Sequence, residues 1–329
     1  MSKPKVAFYW CASCGGCEEA VVDLAEGVLD VVEAVDIVFW PVALDFKRSD
    51  VEAHADGDIA VSFINGAIRT SEQYEMVELL RRKSQAVIAF GSCAHIGGIP
   101  GLANVATRKE IMEEAYLRLP SVVNEQQVMP EPEIKTDEGE LELPDLWNTV
   151  KTLDQVIDVD YYLPGCPPPV ELISNALDAI LSGQLPPKGS VLAPDVALCE
   201  ECDRRDTKPE KPNLLEIKRP SLAEIDPEKC LLAQGFLCLG PVTRKGCGAA
   251  CPKANMPCTG CMGPTSRVVD YGAKALSAIA SLVGSNDEQE IARILSQVVD
   301  PIGTFYRYSL PASLLHRHYE KVGQEGGKR

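Results

Sequence analysis

The chain has 329 residues, 48 acidic against 32 basic side chains and a formal net charge of −16, with 45% apolar residues. That balance excludes a nucleic-acid binder, which needs clustered lysine and arginine, and excludes electrostatic attachment to an anionic membrane surface. No run of about 18 apolar residues is present to span a bilayer, and the apolar content suffices for one large domain or two modest ones.

Met1-Ser2-Lys3-Pro4-Lys5 leads straight into Val6-Ala7-Phe8-Tyr9-Trp10, a first strand too short to be the apolar region of a secretory leader. An acidic chain of this kind is expected in the cytoplasm. Ala20, Val21, Leu24 and Val28 set helical spacing over 18–29. A second strand follows over 35–40 and a third over 58–64, which ends at the turn signal Asn65-Gly66. An amphipathic helix spans 72–83. A fourth strand, 86–90, runs into Gly91-Ser92-Cys93. The acidic, proline-bounded stretch 129–144 predicts a surface hairpin turning at Asp137-Glu138-Gly139, with docking of a partner as the alternative reading. A fifth strand, 156–163, runs into Pro164-Gly165-Cys166, and 167–181 is helical again. Alternating strands and helices predict a flavodoxin-like, doubly wound parallel sheet.

Composition changes at Leu185-Pro186-Pro187-Lys188-Gly189, which divides the chain into a domain over 1–185 and a smaller, loop-rich one over 186–329. Beyond that point periodicity weakens until Val269, Ala273, Leu276, Ala280 and Val283 define a helical face. Gly284-Ser285-Asn286 breaks it. Asp287 and Glu290 then read as a capping box for a second helix carrying Ile291, Ile294, Leu295 and Val298, with Pro301 just past its end. The tail after Tyr319 is expected to fray.

Thirteen cysteines are the chain's chief chemical signal. Twelve fall into three sets of four: Cys14, Cys17, Cys93 and Cys166; Cys199, Cys202, Cys230 and Cys238; Cys247, Cys251, Cys258 and Cys261. Four thiolates are what one cubane iron–sulfur cluster requires. Disulfides would need an oxidising compartment. Zinc would suit the C-x2-C pairs at 199/202 and 258/261, but does not readily explain Cys93 and Cys166. Those two, with Cys14 and Cys17, follow the carboxyl ends of three strands, where open α/β sheets bind ligands. Gly16, Gly91 and Gly165 let the backbone approach a bulky group there. Metal-binding energy would help hold the eight-cysteine segment together, since it is also folding energy. His95 reads as a structural histidine with its hydrogen bonds satisfied rather than a ligand.

Several motifs together resemble those of the [NiFe]-hydrogenase small subunit. Cys14-Gly15-Gly16-Cys17-Glu18-Glu19 is similar to its C-x-G-C-x-E, Gly91-Ser92-Cys93 to its G-x-C, and Gly165-Cys166-Pro167-Pro168 to its G-C-P-P. Gly240-Pro241-Val242-Thr243 before Cys247, and Pro257-Cys258-Thr259-Gly260-Cys261, are similar to its medial motifs. The resemblance covers essentially the whole chain and is strongest to the methyl-viologen-reducing type. It implies a proximal cluster on Cys14, Cys17, Cys93 and Cys166, a medial one on Cys247, Cys251, Cys258 and Cys261, and a distal one on Cys199, Cys202, Cys230 and Cys238. It also implies a large partner subunit that splits hydrogen at a nickel–iron site, and a further iron–sulfur acceptor linked to heterodisulfide reductase. Cys199 stands where many relatives have histidine, and Cys251 where a three-cysteine medial site lacks a thiolate. Both departures imply three [4Fe-4S] clusters. Glu19 matches the family's glutamate and is a candidate for proton movement; the plainer reading is an acidic residue in a helix's first turn. The resemblance leaves Cys11 as a buried thiol. Two alternatives remain: a cluster subunit of a complex I-like quinone or ferredoxin oxidoreductase, whose relative carries adjacent cysteines and lacks the eight-cysteine part, and a zinc-binding scaffold without catalytic function.

Overall fold

The computed structural model describes residues 3–210 and 213–317; the tail after Tyr319 lies outside the described residues. In chain order the elements are β1 (Lys5–Trp10), α1 (Gly16–Val22), α2 (Gly27–Ala34), β2 (Asp36–Phe39), α3 (Arg48–Glu52), β3 (Ile59–Asn65), β4 (Ile68–Thr70), α4 (Ser71–Lys83), β5 (Ser84–Phe90), α5 (Ser92–Ile96), α6 (Arg108–Glu113), β6 (Glu133–Thr136), β7 (Gly139–Glu142), β8 (Leu146–Lys151), β9 (Tyr161–Leu163), α7 (Val170–Leu181) and β10 (Ser190–Val191). Short helices follow: α8 (Ala250–Lys253), α9 (Tyr271–Ala280), α10 (Glu288–Leu295) and α11 (Pro301–Phe305).

Six strands form one sheet in the order β10-β9-β5-β3-β1-β2, and each neighbouring pair is parallel. Apart from the edge strand β10, this is the doubly wound flavodoxin-like order. Alternate side chains on each strand serve opposite faces. Phe8, Phe63, Ile88 and Phe90 pack against Leu172, Ile173 and Leu177 of α7. Ala7, Ile64, Val87 and Ala89 pack against Met76, Val77 and Leu80 of α4. Both faces are therefore covered, as a parallel sheet requires. A third core gathers Leu198, Leu231, Leu232, Phe236, Leu239, Tyr271, Ile279 and Phe305 around the C-terminal cysteines.

The expected helix over 18–29 is two helices. α1 ends at Val22, and Ala25, left-handed at φ 52, turns the chain before α2 begins at Gly27. The fifth strand is shorter than expected: residues 156–160 turn and bend after the 3-10 turn Leu153–Gln155, and the strand starts only at Tyr161. The reciprocal cap expected at Asp287 is relayed. Glu290 N–H donates to Asp287 at 2.9 Å, but the Glu290 carboxylate accepts from the Ser285 hydroxyl at 2.6 Å, and that hydroxyl accepts from Asp287 N–H at 3.1 Å. The acidic hairpin exists as β6–β7 and is exposed along both strands.

Candidate metal centres

All strands of the sheet run the same way, so the segments leaving β1, β5 and β9 emerge on one edge. Gly91 N–H donates to Leu163 carbonyl at 2.8 Å, and Ser92 N–H to Gly165 carbonyl at 2.7 Å. These two bonds strap the turns that carry Cys93 and Cys166 side by side. Cys17 opens α1, and Cys14 lies just before it. The four sulfurs converge far enough to act on one another. Burial pushes the Cys17 thiol far up, and the charges of Cys93, Cys166 and Cys14 push it further. Cys93 is pushed up to about 12 by burial, then by Cys166 and Cys14, against a backbone bond from Ile99. Cys166 is raised by burial and then by Cys14.

Glycine is needed at two points of this lining. At Gly91 (φ +85) an added Cβ would overlap the Cys17 sulfur, and at Gly98 (φ +58) it would overlap the Cys93 sulfur. The backbone thus hugs the thiols closely, leaving the space between them to whatever they bind. Gly98 escaped the sequence reading, although Gly97-Gly98 so soon after Cys93 was a usable signal.

Cys11 behaves differently. It is buried within the core on the α4 face of the sheet, its N–H donates to the Asn65 carbonyl at 2.8 Å, and burial with the nearby Glu18 charge raises its pKa strongly. It does not figure among the charges that act on Cys17.

The C-terminal eight form two adjoining groups. Cys199, Cys202, Cys230 and Cys238 line one cavity. Cys199 is pushed up to about 11 by burial first, eased by Lys208 and then raised by Cys238, Cys202 and Cys230. A Cβ at Gly240 would stand 3.6 Å from both the Cys199 and Cys238 sulfurs. Cys247 is raised by burial, lowered by the N–H groups of Ala250 and Ala249, and raised again by Glu201 and Cys251. Cys261 is pushed up to about 12 by burial, then by Cys247 and Cys166.

The three groups adjoin in series. The Cys166 charge raises the Cys261 thiol and the Cys166 backbone lowers it, so the two lie close together, and the Ser92 hydroxyl donates to the Cys261 carbonyl. At the other end, Cys258 N–H donates to the Cys238 sulfur at 3.3 Å. Burial and then Cys238 raise the Cys258 thiol, ahead of any effect of Cys261. Cys258 therefore faces two groups.

Among the described residues, no three histidine, cysteine, aspartate or glutamate side chains close in tightly enough to hold one metal ion. Thiols that raise one another's pKa cannot all ionise without a compensating cation. A polynuclear iron–sulfur core spreads that charge over several metal atoms and accepts backbone N–H bonds at its sulfurs. The donor set, the glycine cradle and the N–H groups all fit such a core.

Of the two glutamates, Glu19 is exposed and Glu18 is buried. Trp40 Nε1–H and Asn65 Nδ2–H donate to the two oxygens of Glu18, the latter at 2.6 Å. Burial lifts Glu18 to about 7, against the pull of those two bonds. Asn65 also accepts from the Ser13 hydroxyl at 2.9 Å, so it bridges residues on either side of Cys14 and Cys17. Sequence reasoning passed over Glu18; its position three residues before Val21, on the buried stripe of α1, was the available sign. His95 is half-buried and tilts on Tyr162 at 4.8 Å, but its hydrogen bonds are not satisfied as expected: the Nδ1 atom is buried with no hydrogen-bond partner among the described residues. Burial and then Arg244 lower it to about 4.

Comparison with known proteins gives the class first. The family model of the NADH ubiquinone oxidoreductase, 20 Kd subunit, matches residues 14–180. The [NiFeSe]-hydrogenase structure from Dm. baculatum superposes with a TM-score of 0.52 at 16% identity, covering 87% of this chain and 100% of that one. The [NiFeSe] hydrogenase from Desulfovibrio Vulgaris Hildenborough gives 0.50 at 18%, covering 80% and 94%. The fold is that of a hydrogenase small subunit. Nearer relatives narrow it. The iron-sulfur subunit of the F420-non-reducing hydrogenase of Archaeoglobus profundus is 41% identical over 316 residues, 95% of this chain and 98% of the relative. The corresponding F420-non-reducing hydrogenase subunit of Methanothermobacter thermautotrophicus is 37% identical over 325 residues, 98% of this chain and 99% of the relative. The chain belongs to this family of F420-non-reducing hydrogenase iron-sulfur subunits, the methyl-viologen-reducing type, and is a subunit of an oxidoreductase acting on hydrogen. No helix among the described residues is long and apolar enough to cross a membrane.

Proposed function

We propose that this chain carries electrons released from hydrogen through three [4Fe-4S] clusters in series. Cys14, Cys17, Cys93 and Cys166 would hold the proximal one within residues 1–185. Cys247, Cys251, Cys258 and Cys261 would hold the medial one, and Cys199, Cys202, Cys230 and Cys238 the distal one, within 186–329. The observation that carries the reading is that the three thiol groups adjoin in series, through the bond from Ser92, beside Cys93, to the Cys261 carbonyl and through the bond from Cys258 N–H to the Cys238 sulfur. When bound, such a cluster takes up and gives back one electron at a time. The chain's own residues would hold each one: thiolates would fix its position, and the backbone N–H groups beside its cysteines — Ile99 by Cys93, Ala249 and Ala250 by Cys247, Gly260 by Cys258, Gly240 by Cys238 — would favour the more negative state.

A large subunit with the nickel–iron site would cover the proximal edge of the sheet. Exposed Trp10, Val42, Leu44, Ile99 and Val105 follow the carboxyl ends of β1, β2 and β5, an apolar surface of the kind partners cover. Exposed Glu19 stands at this edge, where it would move protons across the interface. The electron acceptor would be a further iron–sulfur protein linked to heterodisulfide reductase, in the cytoplasm. Anaerobic purification from the native host tests the reading: a nickel-containing large subunit should co-purify, and hydrogen should reduce all the clusters. Absence of that subunit overturns it.

The family-model match over residues 14–180 favours a second reading, a complex I-like module. The eight cysteines of the C-terminal part lie beyond that match, and reduction of a quinone by the purified complex would be needed to support it.

A further inference from the structure

We propose that Arg204 is the buried counter-cation of the distal cluster and raises its reduction potential. The inference rests on the reading that Cys199, Cys202, Cys230 and Cys238 hold a cluster. Arg204 lines the same cavity as those four cysteines and is 6% exposed. Its guanidinium is held entirely by neutral acceptors. One nitrogen donates to the carbonyls of Asp226 at 3.2 Å and Lys229 at 3.3 Å; the other donates to Pro252 carbonyl at 2.9 Å and Asn255 Oδ1 at 2.7 Å.

No carboxylate among the described residues lies within ion-pair distance of Arg204. Asp226 senses its charge but is itself paired with Lys229 at 3.0 Å. The other cations at this cavity differ. Arg205 is half exposed and paired with Glu200 at 2.7 Å, and Lys208 is exposed. Water screens the field of Arg205, whereas Lys208, though exposed, still lowers the Cys199 thiol and is a second, solvent-facing cation at this cavity. A buried cation without a counter-ion is costly unless something nearby balances it. Here the balance is at hand. A cubane on four thiolates is anionic, and reduction adds one electron and one more negative charge with no bond made or broken.

The neutral acceptors also fix where the charge sits. Lys229 precedes Cys230 and Pro252 follows Cys251. The fork thus ties a distal-ligand segment to a medial-ligand segment and holds the cation beside the distal thiols. Removing the charge should penalise the reduced distal cluster and leave the proximal cluster, on the sheet, as an unmoved reference.

The test is an EPR-monitored redox titration of the anaerobically purified hydrogenase complex. The distal signal is defined as the one lost in Cys230→Ala. If the native complex has no such signal, the three-cluster reading fails, independently of Arg204. In Arg204→Gln the ratio of reduced to oxidised distal cluster at fixed potential should fall about tenfold, equal to about 59 mV for one electron. Arg204→Lys, which keeps the charge but not the fork, should stay with the native. Asn255→Asp supplies a carboxylate to Arg204 in the same shape, and should also lower the distal potential with Arg204 still in place. It decides the matter should Arg204→Gln fail to hold the cluster. An unshifted distal potential in Asn255→Asp, or an equal shift in Arg204→Lys and Arg204→Gln, overturns the proposal.

Discussion

Asn65 is the most exacting test of how the Cys14–Cys17 loop is held. Its side chain is fully buried and makes three bonds: to the Glu18 carboxylate at 2.6 Å, from the Ser13 hydroxyl at 2.9 Å and to the Tyr9 carbonyl at 3.3 Å. Asn65→Ala leaves a buried carboxylate with one donor, Trp40, in place of two. A hydrogen bond to a charged group contributes about 1.5–3 kcal/mol and a neutral one about 1 kcal/mol. With the long Tyr9 bond discounted, the loss should be about 3 kcal/mol. For a chain of this size that lowers Tm by about 4 °C, read by calorimetry on the anaerobically prepared protein. Asn65→Asp keeps the shape and the Ser13 contact but sets two carboxylates against each other. Such a pair must share a proton, so its folded pKa is raised above the unfolded one. Its stability is then full below the unfolded pKa and lost as pH rises through the folded value. Asn65→Asp should be worse than Asn65→Ala at neutral pH and recover towards acid. A fall of less than about 1 kcal/mol in Asn65→Ala, or an Asn65→Asp protein as stable as native at neutral pH, would refute the network.

Three further outcomes follow from the same geometry. Gly91→Ala drives a methyl into the Cys17 sulfur at a positive φ, so iron content should fall by about a third, with the C-terminal signals intact. Cys11→Ser should keep the full iron complement, whereas Cys17→Ser should lose the proximal share, both read by iron and sulfide analysis. Asp160 is buried between Lys188 and Arg81, each at 2.5 Å, and accepts from Val87 N–H at 2.8 Å. Burial raises its pKa, but those three partners outweigh burial and hold it below the usual carboxylate value. The stability this gives is present above the unfolded pKa and lost as pH falls through the folded one. Asp160→Asn should cost about 2 kcal/mol at neutral pH and progressively less below pH of about 4.

Strand runs and the cysteines at their ends were legible because both are local: short continuous apolar runs, as a sheet covered on both faces produces, and glycine beside cysteine. The break at Ala25 was not, since alanine favours helix and only the packed chain forces its left-handed conformation. Ser190–Val191 was too short to register as a strand and gains its pairing from β9. Glu18 and Glu19 are alike in composition, and only the phase of α1 buries one and exposes the other. Arg204 reads in sequence as one charge in a charged loop; its burial depends on Asp226, Lys229, Pro252 and Asn255, contacts that no local pattern announces.

The central claim is three cubane clusters in one chain, and Mössbauer spectroscopy of the iron-57-enriched, anaerobically purified protein, with iron and acid-labile sulfide counts, tests it most directly. About twelve iron and twelve sulfide per chain, all in [4Fe-4S] form, are predicted. A three-iron centre at the medial site, or zinc without sulfide in the C-terminal part, would contradict it.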